Sequence, residues 1–131
     1  MSGLPRELRD LIESGPFAHL STINADGSPQ VTVIWIGRDG DDLLSGHMQR
    51  YAKLRNIERD PRVAVSISDP SAPSRYFAVR GHVVDVTTEG GAEHIEALAQ
   101  RYLGGPYPWF GGRDQIRVIV TIAADRIHSM G

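Results

Sequence analysis

The chain has 131 residues, 40% of them apolar and 23% charged, and a formal net charge of -2. This length and apolar content are enough for one folded domain with its own core, which we place at residues 1–131. So small a net charge gives the whole molecule no strong attraction for nucleic acid or for an anionic membrane surface. Cysteine is absent, which excludes disulfides, thiolate catalysis and cysteine-bound metals.

No targeting or membrane-spanning segment is expected. The chain begins Met-Ser-Gly-Leu-Pro-Arg-Glu, without the basic stretch and apolar run of a secretory leader. Its apolar runs are also much shorter than the ~20 residues that a membrane helix requires. We therefore expect a soluble cytoplasmic protein.

The first predicted element is a short helix. Apolar residues recur at helical spacing through residues 4–14, with a proline suited to the first turn and a glycine just beyond the end. Two β-rich runs, Phe17–Ile23 and residues 30–36, then flank a turn, and a third run follows at residues 43–47. These runs predict a three-stranded meander.

A basic segment, residues 47–67, comes next. It holds five of the fourteen Lys and Arg residues, namely Arg50, Lys53, Arg55, Arg59 and Arg62. An apolar stripe that includes Leu54 and Ile57 predicts a helix, which should end before Pro61 because proline disfavours helical geometry in the residue that precedes it. Alternating apolar residues at 63–67 then predict a strand.

The remaining elements complete a mainly β fold. Residues 75–88 are long for one strand, and Gly81 within them indicates a bulge or a sharp barrel corner. The apolar spacing of residues 95–102 predicts a helix that ends at Gly104, and residues 116–122 are typical of a strand buried on both faces. About six strands with three helices predict a mainly β (α+β) protein, a small antiparallel barrel with short flanking helices.

The sequence lacks the motifs of several catalytic classes. Its five histidines include neither H-E-x-x-H nor a close pair, so we expect no metal site. The run Glu-His-Ile-Glu at residues 93–96 is typical of a solvated helix face. No serine lies in a G-x-S-x-G motif, and neither the dinucleotide fingerprint nor the P-loop is present.

The basic segment offers a phosphate site. Arg50 and Lys53 fall near the N-terminal end of the predicted helix, where free backbone N–H groups and the helix dipole favour an anion. Gly46, just upstream, allows a ligand to approach the backbone closely, and a lysine supplies the point charge that a phosphate needs. For the other three arginines of the segment, an exposed helix face paired with nearby carboxylates is the simpler interpretation.

For several other positions, a functional and a purely structural interpretation both stay open. Gln30 and Thr32 should share one face of their strand with Val33 on the other, and a partly exposed strand is an equal interpretation. Trp109 lies in a loop rich in glycine and proline, which favours a ligand lid or a subunit contact over simple packing. Arg117, within an apolar strand, requires an anion or a carboxylate as its partner. A role at a shared site and a purely structural role are therefore equal interpretations.

Four segments follow one another in a distinctive order: "FAHLSTINADGSPQVTVIWIGRDGDDLLSG", "RYAKLRNIERDPRVAVSI", "RYFAVRGHVVDV" and "RVIVTIAADRIHSMG". This order resembles the split β-barrel flavin-binding proteins related to pyridoxamine 5′-phosphate oxidase, over nearly the whole chain. The nearest branch is that of the small deazaflavin (coenzyme F-420)-dependent oxidoreductases. The most specific pieces are the "ADGSPQVTVIW" hairpin and the K-x-R-N-I-x-R-D-P-R-V run.

The resemblance implies a coenzyme groove between the two subunits of a homodimer. Lys53, with Gly46 and His47, would hold the coenzyme phosphate, and residues 30–33 would run along the flavin-like ring, largely through backbone groups. Trp109 and Arg117 would reach over from the partner subunit. The cofactor-binding residues implied in this way, together with the nearby cation, are Gln30, Val31, Thr32, Val33, Gly46, His47, Arg50, Tyr51, Lys53, Ser74, Arg75, Trp109 and Arg117.

One departure from the family pattern bears on the coenzyme. Many relatives place a second basic or hydroxyl residue one or two positions before the lysine, whereas this chain has Tyr51 and Ala52 there, with Arg50 the nearest charge. This favours the deazaflavin coenzyme F-420 (8-hydroxy-5-deazaflavin) over FMN. The long anionic tail of F-420 can use Arg50, Arg55 or Arg117 elsewhere along the groove.

The resemblance therefore implies an oxidoreductase that passes hydride from reduced F-420 to an electron-poor small molecule such as an enone, quinone or tetrapyrrole. The coenzyme carries the chemistry, in keeping with the absence of a catalytic motif. The proton comes from His47, from Tyr51 or, more simply, from solvent. Two alternatives stay open: an FMN-dependent oxidase or reductase of the same fold, and a non-catalytic coenzyme-binding protein.

Overall fold

A computed structural model describes residues 3–48, 52–109 and 116–130 of the chain. Within these ranges it contains three helices and seven strands. In chain order they are α1 Arg6–Glu13, β1 Phe17–Ile23, β2 Pro29–Ile34, β3 Ile36–Asp39, β4 Asp42–Met48, α2 Ala52–Arg59, β5 Arg62–Asp69, β6 Ala72–Thr87, α3 Gly91–Leu103 and β7 Arg117–Met130. None of the helices in the described part of the chain is long and apolar enough to cross a membrane.

The strands form one antiparallel sheet in the order β2-β1-β5-β6-β7-β4-β3. The predicted mainly β, split-barrel fold with short helices is confirmed, with one strand more than the six expected. The long strands β6 and β7 pair with each other along most of their length and connect the two halves of the sheet. The two strands at the ends of this order, β2 and β3, are next to each other in the chain.

The expected three-stranded meander is wrong. The run 30–36 divides at Trp35, so that β2 pairs with β1 while β3 pairs with β4 at the other end of the sheet. Helix α3 packs against the chain at the point of division. The Tyr102 ring stacks on Trp35, and the Tyr102 hydroxyl accepts the N–H of Ile36 at 3.2 Å.

Gly81 lies at a register shift between β6 and β7, as the sequence predicted. A Cβ atom at this position would collide with the carbonyl oxygen of Ala123 on β7. Only glycine allows the two backbones to come this close, and the bulge lets the long strand bend around the core. A barrel corner at Gly81 therefore follows from local chemistry that is visible in the sequence.

The core fills the inside of the sheet and is closed by α1 and α2. On β5, Val63, Val65 and Ile67 are buried while the residues between them are exposed, as predicted from their alternation. Leu54 and Ile57 of α2 also enter this core, which fixes the rotation of the basic helix about its axis. Helix α3 packs in a second cluster with aromatic residues from outside the main core.

A buried amide ties α2 to the β1–β2 hairpin. The Asn56 side-chain nitrogen lies 3.1 Å from Thr22 Oγ1, 2.9 Å from Asn24 Oδ1 and 3.0 Å from Gln30 Oε1. Asn56 is only 4% exposed, so these hydrogen bonds replace the water that it loses on folding. The amide and the apolar stripe together hold α2 in one position, which also fixes the start of the Lys53 side chain.

Candidate anion-binding cavity

A cavity of about 350 Å³ opens where β2, β4, α2, α3 and β7 approach one another. Its walls combine apolar, aromatic and basic side chains: Val33, Ile34, Trp35, Gly46, His47, Lys53, Ile95, Tyr107 and Arg117. Five of these residues were singled out from the sequence, namely Val33, Gly46, His47, Lys53 and Arg117. The cavity lies at the junction where the chain passes from β2 to β3.

Two buried cations, Lys53 and Arg117, share this cavity. Each is only 8% exposed. Burial, followed by the nearby charge of Arg117, lowers the pKa of Lys53 from its usual value. Two cations in one poorly solvated space repel each other, and an anion with several oxygens would reduce this repulsion.

His47 adds a neutral group to the cavity. Its Nε2 atom lies 2.6 Å from the Ser45 hydroxyl oxygen, and the residue is 1% exposed. Burial, followed by the charges of Lys53 and Arg117, lowers the pKa of His47 to about 3. The imidazole is therefore uncharged at neutral pH and does not hold the extra proton of an imidazolium.

We expect the protein to lose stability as the pH falls from 6.5 toward 3. In this range the unfolded chain binds a proton on His47, whose ordinary pKa is 6.5, whereas the folded chain does not until about pH 3. The free energy of unfolding therefore falls with falling pH, and is unaffected by His47 above pH 6.5. Urea unfolding at neutral and at acidic pH measures this slope.

The matched variant for this prediction is His47→Gln, which keeps a polar group near Ser45 but cannot titrate. It should show a shallower loss of stability in acid than the unmodified protein. His128→Gln, at the exposed end of β7, is the control. An acid slope that is the same in His47→Gln as in the unmodified protein would contradict the buried, neutral imidazole.

The segment 93–96 is not the solvated helix face that the sequence suggested. Only Glu93 is exposed; Ile95 is buried and lines the cavity. The half-buried ring of His94 packs so closely on β4 that a Cβ atom at Gly46 would lie 3.2 Å from His94 Nδ1. The pKa of His94 is lowered by burial, then by the charges of Arg117 and Arg101, so this second imidazole also remains neutral.

Aromatic rings form the wall of the cavity next to α3. Trp35 stacks on Tyr102 with ring centroids 5.3 Å apart and meets Tyr107 edge-on at 6.2 Å. Tyr107 in turn meets Trp109 at 5.3 Å, and the Arg117 guanidinium carbon lies 5.4 Å from the centre of the Tyr107 ring. The sequence did not identify Trp35 and Tyr107 as wall residues, because neither belongs to a motif from which the direction of its side chain can be predicted.

Three other cations of the basic segment are not part of the cavity wall. Arg55, Arg59 and Arg62 are all exposed. Arg62 pairs with Asp60 at 2.6 Å, and Arg59 donates to the carbonyl oxygen of Ile23 at 3.2 Å. The exposed face expected for these arginines is therefore observed. Arg50, together with Tyr51, lies outside the described residues.

The remaining predicted residues fall into two groups. On β2, Gln30 accepts a hydrogen bond from Asn56, Val31 is 61% exposed, and Thr32 has a buried hydroxyl with no hydrogen-bond partner in the described structure. Ser74 and Arg75 are exposed at the start of β6 and are not part of the cavity wall. Within one chain, Ser74 and Arg75 therefore do not share the cavity with Lys53. Their role in binding a coenzyme stays a prediction.

A sequence profile of the family described as pyridoxamine 5′-phosphate oxidase matches residues 4–131. The chain belongs to the pyridoxamine 5′-phosphate oxidase family. This confirms the resemblance inferred from the order of its segments. Among the curated proteins, none matches the chain.

Solved structures are similar over almost the full length. An F420 reductase is 34% identical, with a TM-score of 0.83 over 95% of this chain and 98% of the other. A conserved hypothetical protein from Mycobacterium tuberculosis is 24% identical, with a TM-score of 0.78 over 99% and 86%. General Stress Protein 26 from Bacillus anthracis is 20% identical, with a TM-score of 0.69 over 92% and 88%. The last two show the fold alone, while the family and the reductase support a flavin- or deazaflavin-related oxidoreductase.

Proposed function

We propose that the protein is an oxidoreductase that binds reduced coenzyme F-420 and transfers hydride to an electron-poor organic acceptor of the enone, quinone or tetrapyrrole type. The observation that carries this proposal is the pair of buried cations, Lys53 and Arg117, in one cavity beside an end strand of the sheet. The similarity to an F420 reductase at 34% identity favours the deazaflavin over FMN.

The cavity fits the phosphate end of such a coenzyme. Lys53 and Arg117 supply two charges for its oxygens, and Gly46 forms part of the cavity wall. Neutral His47 can donate a ring N–H hydrogen bond to a phosphate oxygen without adding charge. Binding of the anion would offset the repulsion between the two cations, which is the cause of part of the lowered pKa of Lys53.

The ring end of the coenzyme has a matching surface on β2. This strand ends the sheet order, so in the described part of the chain one side of its backbone is not paired with another strand. Backbone N–H and C=O groups of residues 30–33 on that side can bind the polar edge of a flavin-like ring. Val33 belongs to both the strand and the cavity wall, which makes the two surfaces continuous.

The chain itself binds and orients the coenzyme and the acceptor, and it excludes water from them. Hydride is supplied by the ring carbon of the reduced coenzyme when it is bound. The acceptor also needs a proton, and neutral His47, with a pKa of about 3, is a poor source of one. We therefore assign the proton to solvent, and take Tyr51 as the alternative donor.

The location of the protein in the cytoplasm stays a prediction.

A second copy of the chain would complete the site as a homodimer. The outward face of β1 and β2 exposes three large apolar side chains, with Phe17 60%, Val31 61% and Val33 68% exposed. Because Val33 also borders the cavity, a subunit seated on this face would cover the cavity mouth. Light scattering should give the mass of two chains, and a monomer would contradict the shared site.

A parallel titration with coenzyme F-420 and with FMN tests the function. Micromolar binding of F-420, followed by oxidation of the reduced coenzyme in the presence of an acceptor, is the expected result. Binding of FMN in preference would favour an FMN-dependent oxidase or reductase. Binding of F-420 without turnover would favour a coenzyme-binding protein, and failure of both to bind would contradict the proposal.

A further inference from the structure

We propose that Glu96 is a positioning residue for the anion: it clamps the segment after α3, holds the Tyr107 ring beside Arg117, and through that ring orients the guanidinium in the cavity. The inference rests on the proposed function only in requiring that an anion binds there. Glu96 is not a member of the cavity wall and acts through Tyr107.

The clamp uses both oxygens of one carboxylate. Glu96 Oε1 accepts the backbone N–H of Tyr107 at 2.8 Å, and Oε2 accepts the indole N–H of Trp109 at 2.7 Å. Hydrogen bonds to a charged acceptor are shorter and stronger than neutral ones, and here two of them converge on a half-buried side chain of α3. The loop is thereby attached to the helix at two points, Tyr107 and Trp109, which lie four and six residues after the helix end at Leu103.

The backbone of the loop has a conformation that requires supporting contacts. Trp109 has a φ of 55°, in the left-handed region that residues other than glycine rarely adopt. Such a conformation costs free energy, and it persists only where surrounding contacts hold it. The indole hydrogen bond to Glu96 and the edge contact with Tyr107 are two such contacts.

Tyr107 transmits the clamp to the cavity. It is 8% exposed, meets Trp35 edge-on and has the Arg117 guanidinium carbon 5.4 Å from its ring centre. A cation at this distance from a tyrosine ring is attracted to the ring face. If the loop moved away from α3, Arg117 would lose this contact and the cavity would lose part of its wall.

The first test follows the clamp directly. The sequence has two tryptophans, so the indole N–H region of a ¹H–¹⁵N spectrum should hold two signals, and Trp109→Phe identifies one of them. Glu96→Gln should move that signal upfield and speed its exchange with solvent, because one neutral amide oxygen replaces two carboxylate oxygens. Glu93→Gln, an exposed change on the same helix, should leave it in place.

The second test measures the consequence for the anion, with inorganic pyrophosphate as a probe that lacks a ring. Glu96→Gln should raise its Kd about three- to tenfold, the size expected for a displaced cation–π pair and a weakened hydrogen bond. Trp109→Phe keeps the Glu96 bond to Tyr107 and should raise the Kd less. Adding Trp109→Phe to Glu96→Gln should change little more, because both act through one clamp.

The outcomes separate this inference from the proposed function. Pyrophosphate binding that weakens in Glu96→Gln but not in Glu93→Gln supports the positioning role, even if coenzyme F-420 does not bind and the proposed function fails. A Kd unchanged in Glu96→Gln while the indole signal shifts overturns the role and leaves the function standing. If Glu96→Gln does not fold, an unchanged Kd in Trp109→Phe overturns it. Absence of pyrophosphate binding to the unmodified protein overturns it as well.

Discussion

Replacing Lys53 by alanine is expected to weaken the binding of coenzyme F-420 by about 1.5–3 kcal/mol, or about ten- to 150-fold in Kd. The reason is the loss of a charge-assisted contact in a cavity where Lys53 is only 8% exposed, so that water cannot replace it. Arg117 stays in place and retains part of the affinity. A fluorescence titration of the coenzyme against the purified variant measures the change.

Arg59→Ala is the matched control for Lys53→Ala. Both residues lie on α2, but Arg59 is exposed and is not part of the cavity wall. Its removal should change the Kd less than twofold at ordinary ionic strength, because an exposed charge is well screened. Equal losses in the two variants would show general attraction of the coenzyme to a basic helix, and an unchanged Kd in Lys53→Ala would move the phosphate elsewhere.

Gly81→Ala is expected to lower the free energy of unfolding by about 2–4 kcal/mol, as overpacking between two backbones does. The added Cβ would collide with the carbonyl oxygen of Ala123, and neither atom is at the free end of a side chain. Relief requires β6 and β7 to separate at the bulge where the barrel bends. Urea unfolding at neutral pH measures the change.

Gly105→Ala is the control for this prediction. A Cβ atom at Gly105 meets nothing within 4 Å, so its effect on the free energy of unfolding should stay within about 0.5 kcal/mol. A Gly81→Ala protein as stable as the unmodified one would mean that the two long strands do not approach each other as closely as described. The comparison therefore tests the bend in the sheet, independently of any ligand.

The stability of the scaffold and the function of the cavity are connected through α2. Leu54 and Ile57 enter the core, and Asn56 bonds to the β1–β2 hairpin, so the helix cannot rotate without loss of burial. Lys53, on the same helix, is held in the cavity by these neighbours. A cation that is fixed before the ligand arrives loses little conformational freedom on binding, which favours affinity.

Several features were predictable because they depend on residues close together in the chain. The apolar stripe of α2, the alternation on β5 and the glycine at the β6 bulge are all local, and each is observed. Lys53 was singled out on the same basis, since a strand end, a glycine and a basic helix follow one another directly. Its place in the cavity wall is observed, and its role as a phosphate ligand stays a prediction. The family was recognisable from the order of such segments.

The sequence by itself determined the helices, most of the strands and the basic stripe, because hydrophobic period, proline and glycine act over a few residues. Only the tertiary structure decided that the run 30–36 divides at Trp35, and that Met48 pairs with Arg117 to bring β7 to the cavity. It also decided that Glu96 faces the loop after α3 instead of solvent. These outcomes depend on which distant segments pair and pack, and local periodicity carries no information about the partner or its register.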